Sequence, residues 1–336
     1  MLRVMPRTPR LPPWLVLLLY FAGTVVVGSV LAPWLFSLGR GYAAWAAGTG
    51  TGDTFLLGDL AREARKADFQ RYFNRSTLVA ALALLWPAAR LLHVRHNELP
   101  GLWPALGDLR DSGLGFLLGV VPLLAMGGIL VAMGVFKQNP KAVFASLAAN
   151  AAVAAVAVAL LEEWLFRGAI TGIVGRSLPP RRTLVFVAVL FAVLHFMQPP
   201  ETWRVADDAV NAGTGLQLAG AILGRLLDPG AFAGAFLTLL AIGLLLGWAR
   251  LVTGRLWLGI GMHAGWVFAL KAFSGMTRRV PAHKHGVPDL VIGGDIRTGL
   301  MPLGFLALTA LALAWILRRR CPDAASRSGD CRETVA

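Results

Sequence analysis

Long apolar runs separated by short polar segments dominate the pattern along the chain. A hydrocarbon core about 30 Å thick needs roughly 20 apolar residues in a helix to cross it. Windows that approach this length occupy residues 14–36, 77–92, 113–136, 151–174, 183–196, 231–248, 256–272 and 300–317. The pattern therefore predicts an all-α, polytopic membrane protein with about eight transmembrane helices, of which the second and fifth are short.

The positions of the basic residues predict the orientation of these windows. Short cytoplasmic loops are enriched in Lys and Arg, whereas long loops contribute little to this rule. With the N-terminus in the cytoplasm, the inner segments contain Arg90, Arg95 and Arg110, then Arg176, Arg181 and Arg182, then Arg250 and Arg255, then Arg318, Arg319 and Arg320. Both termini are therefore predicted to be cytoplasmic.

The chain divides by sequence into three regions. Residues 1–141 hold N-terminal transmembrane helices, and an amphipathic segment at residues 55–73 favours a helix on the membrane surface. Residues 142–272 hold the helices with intramembrane polar residues. Residues 273–336 contain an outer loop, the last transmembrane helix and a basic cytoplasmic tail.

Composition and charge agree with the membrane assignment. The 336 residues are 56% hydrophobic and only 15% charged, and the formal net charge is +14. In a soluble protein such a charge would suggest nucleic acid, but here it is spread over segments that flank the membrane. The partners that it predicts are anionic lipid headgroups, and no nucleic acid.

A charged cluster interrupts the fourth window at LLEEWLFRGA, residues 160–169. An ionised side chain at the bilayer centre costs about 2.5 to 3.5 kcal/mol on insertion scales, so such residues are functional candidates. Glu163 and Arg167 are four residues apart on one helix face, in the order that favours an ion pair. Glu162 points about 100° away from Glu163, so its partner must come from another helix.

Two histidines in other windows are predicted to lie at a similar depth. His195 lies about 18 Å along the fifth window, and His263 lies within the seventh. One interpretation is that Glu162 and the two imidazoles converge on a water or a metal ion. The alternative is that these polar residues only cross-link helices by hydrogen bonds. Three titratable residues in three windows favour the functional interpretation.

This ordered set of motifs resembles a known family. Glu162-Glu163-x-x-x-Arg167, Phe191-x-x-x-His195 and a later His263 are similar to the three motifs of the CPBP (Abi) intramembrane endopeptidases, which include the eukaryotic CAAX prenyl endopeptidase. The resemblance covers residues 142–272. It implies an α-helical intramembrane protease of the glutamate type.

The resemblance also implies roles for the polar residues. Glu162 would be the general base that takes a proton from water, and the Glu163–Arg167 pair would hold the helix and orient it. His195 would help to bind the water. His263 would stabilise the oxyanion that develops on the scissile carbonyl.

Two further positions line the site in this comparison. Phe191 shares a helix face with His195 and is expected to pack against it. Many family members carry Asn four residues after the histidine of the third motif, whereas this chain has Val267. Either His263 suffices without that amide, or another residue substitutes for it, or activity is altered or lost.

A metal ion is an open alternative for the same residues. Glu162, His195 and His263 would satisfy the pattern of three protein ligands and one water at a catalytic Zn²⁺. The same groups also suit a metal-free reaction, and the zincin signature His-Glu-x-x-His is absent from the sequence. The sequence therefore leaves the cofactor undecided between none and Zn²⁺.

Three functions remain at the level of sequence. The first is an integral protease of a bacterial inner (plasma) membrane that hydrolyses a membrane-embedded or membrane-tethered peptide. The second is a catalytically altered relative that binds a membrane peptide, as in bacteriocin immunity, which Val267 favours. The third is a proton-coupled transporter using Glu162 and His195, although the sequence shows neither paired broken helices nor internal symmetry.

Overall fold

The computed structural model of the chain describes residues 12–50, 54, 57–92, 105–140, 142–200, 202–226, 233–281, 286–288, 290–293 and 296–320. The helices are α1 (Pro13–Gly48), α2 (Leu57–Lys66), α3 (Phe69–Leu91), α4 (Leu106–Ala132), α5 (Phe144–Glu163), α6 (Thr171–Val174), α7 (Pro180–His195), α8 (Thr214–Leu226), α9 (Ala233–Thr253), α10 (Trp257–Met276) and α11 (Leu300–Arg320). A π-helical segment, Trp164–Ile170, joins α5 to α6. Strands β1 (Phe136–Gln138) and β2 (Thr277–Arg279) form an antiparallel ribbon.

All eight apolar windows coincide with helices. Helices long and apolar enough to cross a membrane, judged by length and composition over the described residues, are Pro13–Gly48, Leu106–Ala132, Phe144–Val174, Ala235–Thr253 and Leu300–Arg319. The other three windows correspond to α3, α7 and α10. Of these, α7 has 16 residues, and α10 carries His263 and Lys271. The all-α polytopic class is confirmed, and a total of eight spans stays a prediction.

The chain divides into two compact units. One consists of residues 1–94 and 195–231, and the other of residues 95–194 and 232–336. In the first unit α1 packs antiparallel to α3, since Gly28 lies against Thr77 and Gly39 against Tyr72. The core of this unit includes Phe36, Tyr72 and residues of α8. Helix α8 lies within residues 198–230, which the apolar windows left as a loop.

In the second unit, α4 and α10 run parallel in close contact. A Cβ atom added to Gly115 would meet the Leu258 carbonyl, and one added to Gly119 would lie 3.0 Å from the Trp266 nitrogen. On α10, a Cβ atom added to Gly265 would meet the carbonyl oxygen of Phe116 in α4. Glycines on both helices therefore allow the two backbones to approach, as small residues do in membrane bundles.

The remaining contacts of the second unit fix the direction of α5. Leu147, near its start, lies against Gly275, and Glu163, at its end, lies against Gly259, so α5 is antiparallel to α10. The ribbon β1–β2 joins the last turns of α4 and α10. At the opposite end, Arg255 donates to both carboxylate oxygens of Asp108 at 2.8 and 2.9 Å. The unit thus has one ribbon end and one Asp108–Arg255 end.

Candidate active site

The last turn of α5 supplies a buried ion pair. Arg167 Nη1 lies 3.1 Å from Glu163 Oε1, and both side chains are 1% exposed. The four-residue spacing predicted this shared face. The chain becomes π-helical directly after Glu163, and the Thr171 hydroxyl donates to the carbonyl oxygen of Phe166, five residues earlier, at 2.8 Å. Such π-helical turns are rare and occur frequently at functional sites.

Contacts from two other helices complete the surroundings of Arg167. Its Nη2 donates to the carbonyl oxygen of Gly243 in α9 at 3.3 Å. Its guanidinium carbon lies 4.4 Å from the centre of the Phe191 ring in α7, a cation–π contact. A buried charge needs such compensation, because removal from water costs several kcal/mol per ion. Arg167 therefore ties α7 and α9 to the helix that carries the two glutamates.

His263 lies between the two glutamates. Its Nδ1 is 2.9 Å from Glu163 Oε1, and its Nε2 is 3.7 Å from Glu162 Oε2. An ionised carboxylate can only accept a hydrogen bond, so Nδ1 must carry the proton that it shares with Glu163. In the neutral imidazole, the lone pair of Nε2 therefore faces Glu162.

The two glutamates differ in exposure. The side chain of Glu162 is 29% exposed, whereas that of Glu163 is almost completely buried. Glu162 is therefore the more accessible of the two carboxylates, although its Oε2 atom, which faces His263, is buried. Glu163 is enclosed by Arg167 and His263.

Helix α10 can bring His263 this close because a glycine lies one turn before it. A Cβ atom added to Gly259 would lie 3.2 Å from Glu163 Oε2, closer than nearly all real Cβ contacts. His263 lies about 9 Å along α10 from Trp257 and about 20 Å before Met276, at a rise of about 1.5 Å per residue. The site therefore lies nearer to the Asp108–Arg255 end of the unit than to the ribbon.

The comparisons with known proteins bear on this arrangement. Residues 144–269 match a family model described as Type II CAAX prenyl endopeptidase Rce1-like. The resemblance to the CAAX endopeptidase family is confirmed for this segment. Neither the curated proteins nor the solved structures include a match to the chain. The endopeptidase-like segment contains every motif residue from Glu162 to His263, and the match supports a membrane endopeptidase.

The second motif of this segment has its two residues, Phe191 and His195, on helix α7. Phe191 is 1% exposed, and its ring contacts those of Phe166 and His263 edge-on, with centroid distances of 5.2 and 6.2 Å. His195 is half-buried and ends α7, one turn after Phe191. Its predicted approach to Glu162 stays a prediction.

Val267 lies one turn after His263 in the endopeptidase-like segment. It packs with the apolar cluster that α5 and α10 share, which includes Ala159, Ile260 and Ala264. An amide at this position would be in apolar surroundings, so the valine suits its neighbours. The Asn of many family members therefore has no counterpart at this position.

The same side chains include groups that could bind a metal ion. Within the described part of the chain, no group of three or more His, Cys, Asp or Glu side chains is placed to hold a metal ion. Two ligands of a tetrahedral Zn²⁺ lie about 3.4 Å apart. The 3.7 Å between His263 Nε2 and Glu162 Oε2 is close to that spacing, and a bond from Nδ1 to a carboxylate is typical of a histidine that binds a metal. Glu162 and His263 therefore have the spacing of two ligands of one Zn²⁺, and a Zn²⁺ site stays a prediction.

Sequence reasoning missed several contributors to the site. The carbonyl of Gly243, the stacking of Phe191 on Arg167 and the space left by Gly259 all join residues far apart in the chain. Only Gly259 carried a local signal, since it precedes His263 by four residues on the same helix face.

Proposed function

We propose that the chain is an intramembrane endopeptidase that hydrolyses a peptide bond of a membrane-embedded or membrane-tethered substrate, in the inner (plasma) membrane of a bacterium. The observation that carries the proposal is the position of His263 between the accessible Glu162 and the buried Glu163–Arg167 pair. Titratable residues within membrane-spanning helices are functional candidates, because placing them there is costly.

In this proposal Glu162 is the general base. It removes a proton from a water molecule, and the water oxygen forms a bond to the scissile carbonyl carbon while the carbonyl electron pair moves to oxygen. His195 helps to bind the water, as the family resemblance implies. No step of the reaction is routed through a metal ion.

His263 then carries the proton to the leaving group. Its Nε2 faces Glu162 with a free lone pair, so it takes up the proton that Glu162 received from water. The resulting Nε2–H stabilises the oxyanion and passes the proton to the amide nitrogen as the carbon–nitrogen bond breaks. The products are a new carboxyl terminus and a new amino terminus.

Glu163 and Arg167 are positioning residues in this scheme. Glu163 holds the Nδ1 proton of His263 and so directs Nε2 toward Glu162, much as the aspartate of a serine protease triad orients its histidine. Arg167 neutralises Glu163. In this proposal His263 acts without the amide that Val267 replaces.

A second function is favoured by Val267 itself. Without the amide, the same residues suit a protein that binds a membrane peptide but does not cleave it. In that case the buried cluster would only hold the helices together.

The substitution Glu162→Gln separates the two functions. It keeps size and hydrogen bonding but removes the proton acceptor, so hydrolysis should fall by at least about 100-fold, within the range of general base catalysis. New peptide termini in membranes of cells expressing the parent would be compared with those in cells expressing Glu162→Gln at equal abundance. Glu162→Asp, which retains a carboxylate, should keep part of the activity. Identical termini in the parent and Glu162→Gln would favour the binding function.

A further inference from the structure

The ribbon β1–β2 presents a pair of like charges. Its register places Lys137 directly opposite Arg278, and both side chains are exposed. Like charges opposite each other destabilise an antiparallel pair. The neighbouring Phe136 is buried against Phe273, so the face with Lys137 and Arg278 points away from the core. This face is suited to an anionic partner.

The ribbon also has backbone groups directed outward. Hydrogen bonds from Val280 N to Val135 O and from Asn139 N to Met276 O define the ladder, at 2.8 and 2.7 Å. Because bonded positions alternate along an antiparallel pair, residues 136 and 138 on β1 direct their N–H and C=O groups away from the partner strand. On β2 the Thr277 N–H already donates to the carbonyl oxygen of Phe273, so the β1 edge is the one suited to pairing. Among the described residues, the sheet has two strands. An extended peptide can pair with such an edge.

The ribbon is joined directly to the helix that carries His263. Strand β2 begins at Thr277, immediately after α10, and lies fourteen residues beyond His263, or about 21 Å along the helix. A substrate that is bound at the ribbon must span this distance to place its scissile bond at His263. The distance corresponds to about 14 residues in a helix, or about 6 in an extended chain at roughly 3.3 Å per residue.

We infer that the ribbon is a docking site for an extended acidic segment of the peptide substrate, whose carboxylates at alternate positions lie on the face that Lys137 and Arg278 share. The inference rests on the proposed function and adds to it a substrate class. The substrate carries acidic residues on the ribbon side of the membrane, about 6 to 14 residues from the scissile bond. A peptide fits better than a lipid headgroup, because the ribbon offers backbone pairing as well as charge.

The test measures binding without hydrolysis. Full-length protein with Glu162→Gln, in phosphatidylcholine nanodiscs, is titrated into a fluorescent ten-residue peptide with Glu at alternate positions, and into the same peptide with Gln instead. The acidic peptide should bind about tenfold more tightly, as two exposed ion pairs allow, and the difference should shrink with salt. Lys137→Gln with Arg278→Gln should remove the difference.

A matched control removes the same charge elsewhere. Arg176→Gln with Arg181→Gln changes exposed residues near the other end of the unit and should leave peptide binding unchanged. Equal binding of both peptides to the parent overturns the inference. A second result would also overturn the inference. If Lys137→Gln with Arg278→Gln still binds the acidic peptide but no longer enriches phosphatidylglycerol around the protein in mixed nanodiscs, the ribbon is a lipid site. Because hydrolysis is not measured, these outcomes are independent of whether Glu162 is the base.

Discussion

At the scale of single residues, two neighbouring glutamates have different surroundings, and the proposed function gives them different tasks. Glu162 keeps 29% of its side chain exposed, which suits the proposed general base. Glu163 is enclosed, and its Oε1 accepts from both Arg167 and His263. Loss of Glu163 would leave a buried guanidinium without its counter-charge, whereas loss of Glu162 would leave that pair intact.

Glu163→Gln should therefore destabilise the protein. Removing one partner of a buried ion pair costs about 3 to 5 kcal/mol, so the melting temperature in detergent should fall by several degrees and abundance in the membrane should drop. Glu162→Gln is the matched control, with the same chemical change one residue away, and should melt close to the parent. A Glu163→Gln protein as stable as the parent would contradict the role of the pair.

The sequence predicts this part of the site to the extent that it is local. The ion pair follows from the four-residue spacing of Glu163 and Arg167, and the cost of intramembrane charge singled out Glu162 and His263. The sequence does not predict which nitrogen of His263 faces which glutamate. That depends on a contact between His263 and Glu163, which are one hundred residues apart in the chain. The π-helical segment after Glu163 could not be predicted either, because a count of apolar residues does not distinguish a π-helix from an α-helix.

At the scale of elements, the contact between α4 and α10 decides where His263 lies. Gly115 and Gly119 on α4 pack against the backbone of α10, and Gly261 and Gly265 pack against that of α4. The sequence spaces Gly115 and Gly119 by four residues, as helices in close contact often do, but it has similar pairs elsewhere, such as Gly168 and Gly172. Only the structure shows which pairs are used.

Gly119→Ala should weaken this contact. The added Cβ would overlap with the carbonyl of Met262 and lie 3.0 Å from Trp266 N, both backbone atoms of α10 that cannot rotate away. Overpacking of this kind costs typically about 1 to 3 kcal/mol, and a lower melting temperature would report it. Gly128→Ala, on the same helix with open space around it, should leave the melting temperature unchanged or raise it. Equal effects of the two substitutions would contradict close packing at Gly119.

The apolar windows located helices well and short elements poorly. Each window matched a helix because burial in lipid selects long apolar runs, which are visible without tertiary information. Helix α8 has thirteen residues, too few for such a window, and the strands have three each. The ribbon forms only because parallel α4 and α10 bring residues 136–138 and 277–279 together.

At the scale of the whole molecule, packing within the second unit supports the predicted orientation. Parallel α4 and α10, with α5 antiparallel to them, place the β1–β2 ribbon at one end and the Asp108–Arg255 pair at the other. Arg176, between α6 and α7, and Arg181 and Arg182, in the first turn of α7, come soon after the end of α5, so these arginines belong to the Asp108–Arg255 end. By the positive-inside rule we predict that this end is cytoplasmic and that the ribbon is outside.

Single cysteines at the two ends should therefore react differently. Cys321 and Cys331, which lie outside the described residues, are first replaced by Ser, and then Gln138→Cys or Ser177→Cys is added at exposed positions. A membrane-impermeant maleimide applied to intact cells should label Gln138→Cys and not Ser177→Cys. Gln138 lies in the ribbon, which is predicted to be outside, and Ser177 lies next to the arginines that are predicted to be cytoplasmic. Disrupted membranes should label both, which controls for reactivity. Labelling of Ser177→Cys in intact cells would invert the unit and move the acidic docking segment to the cytoplasm.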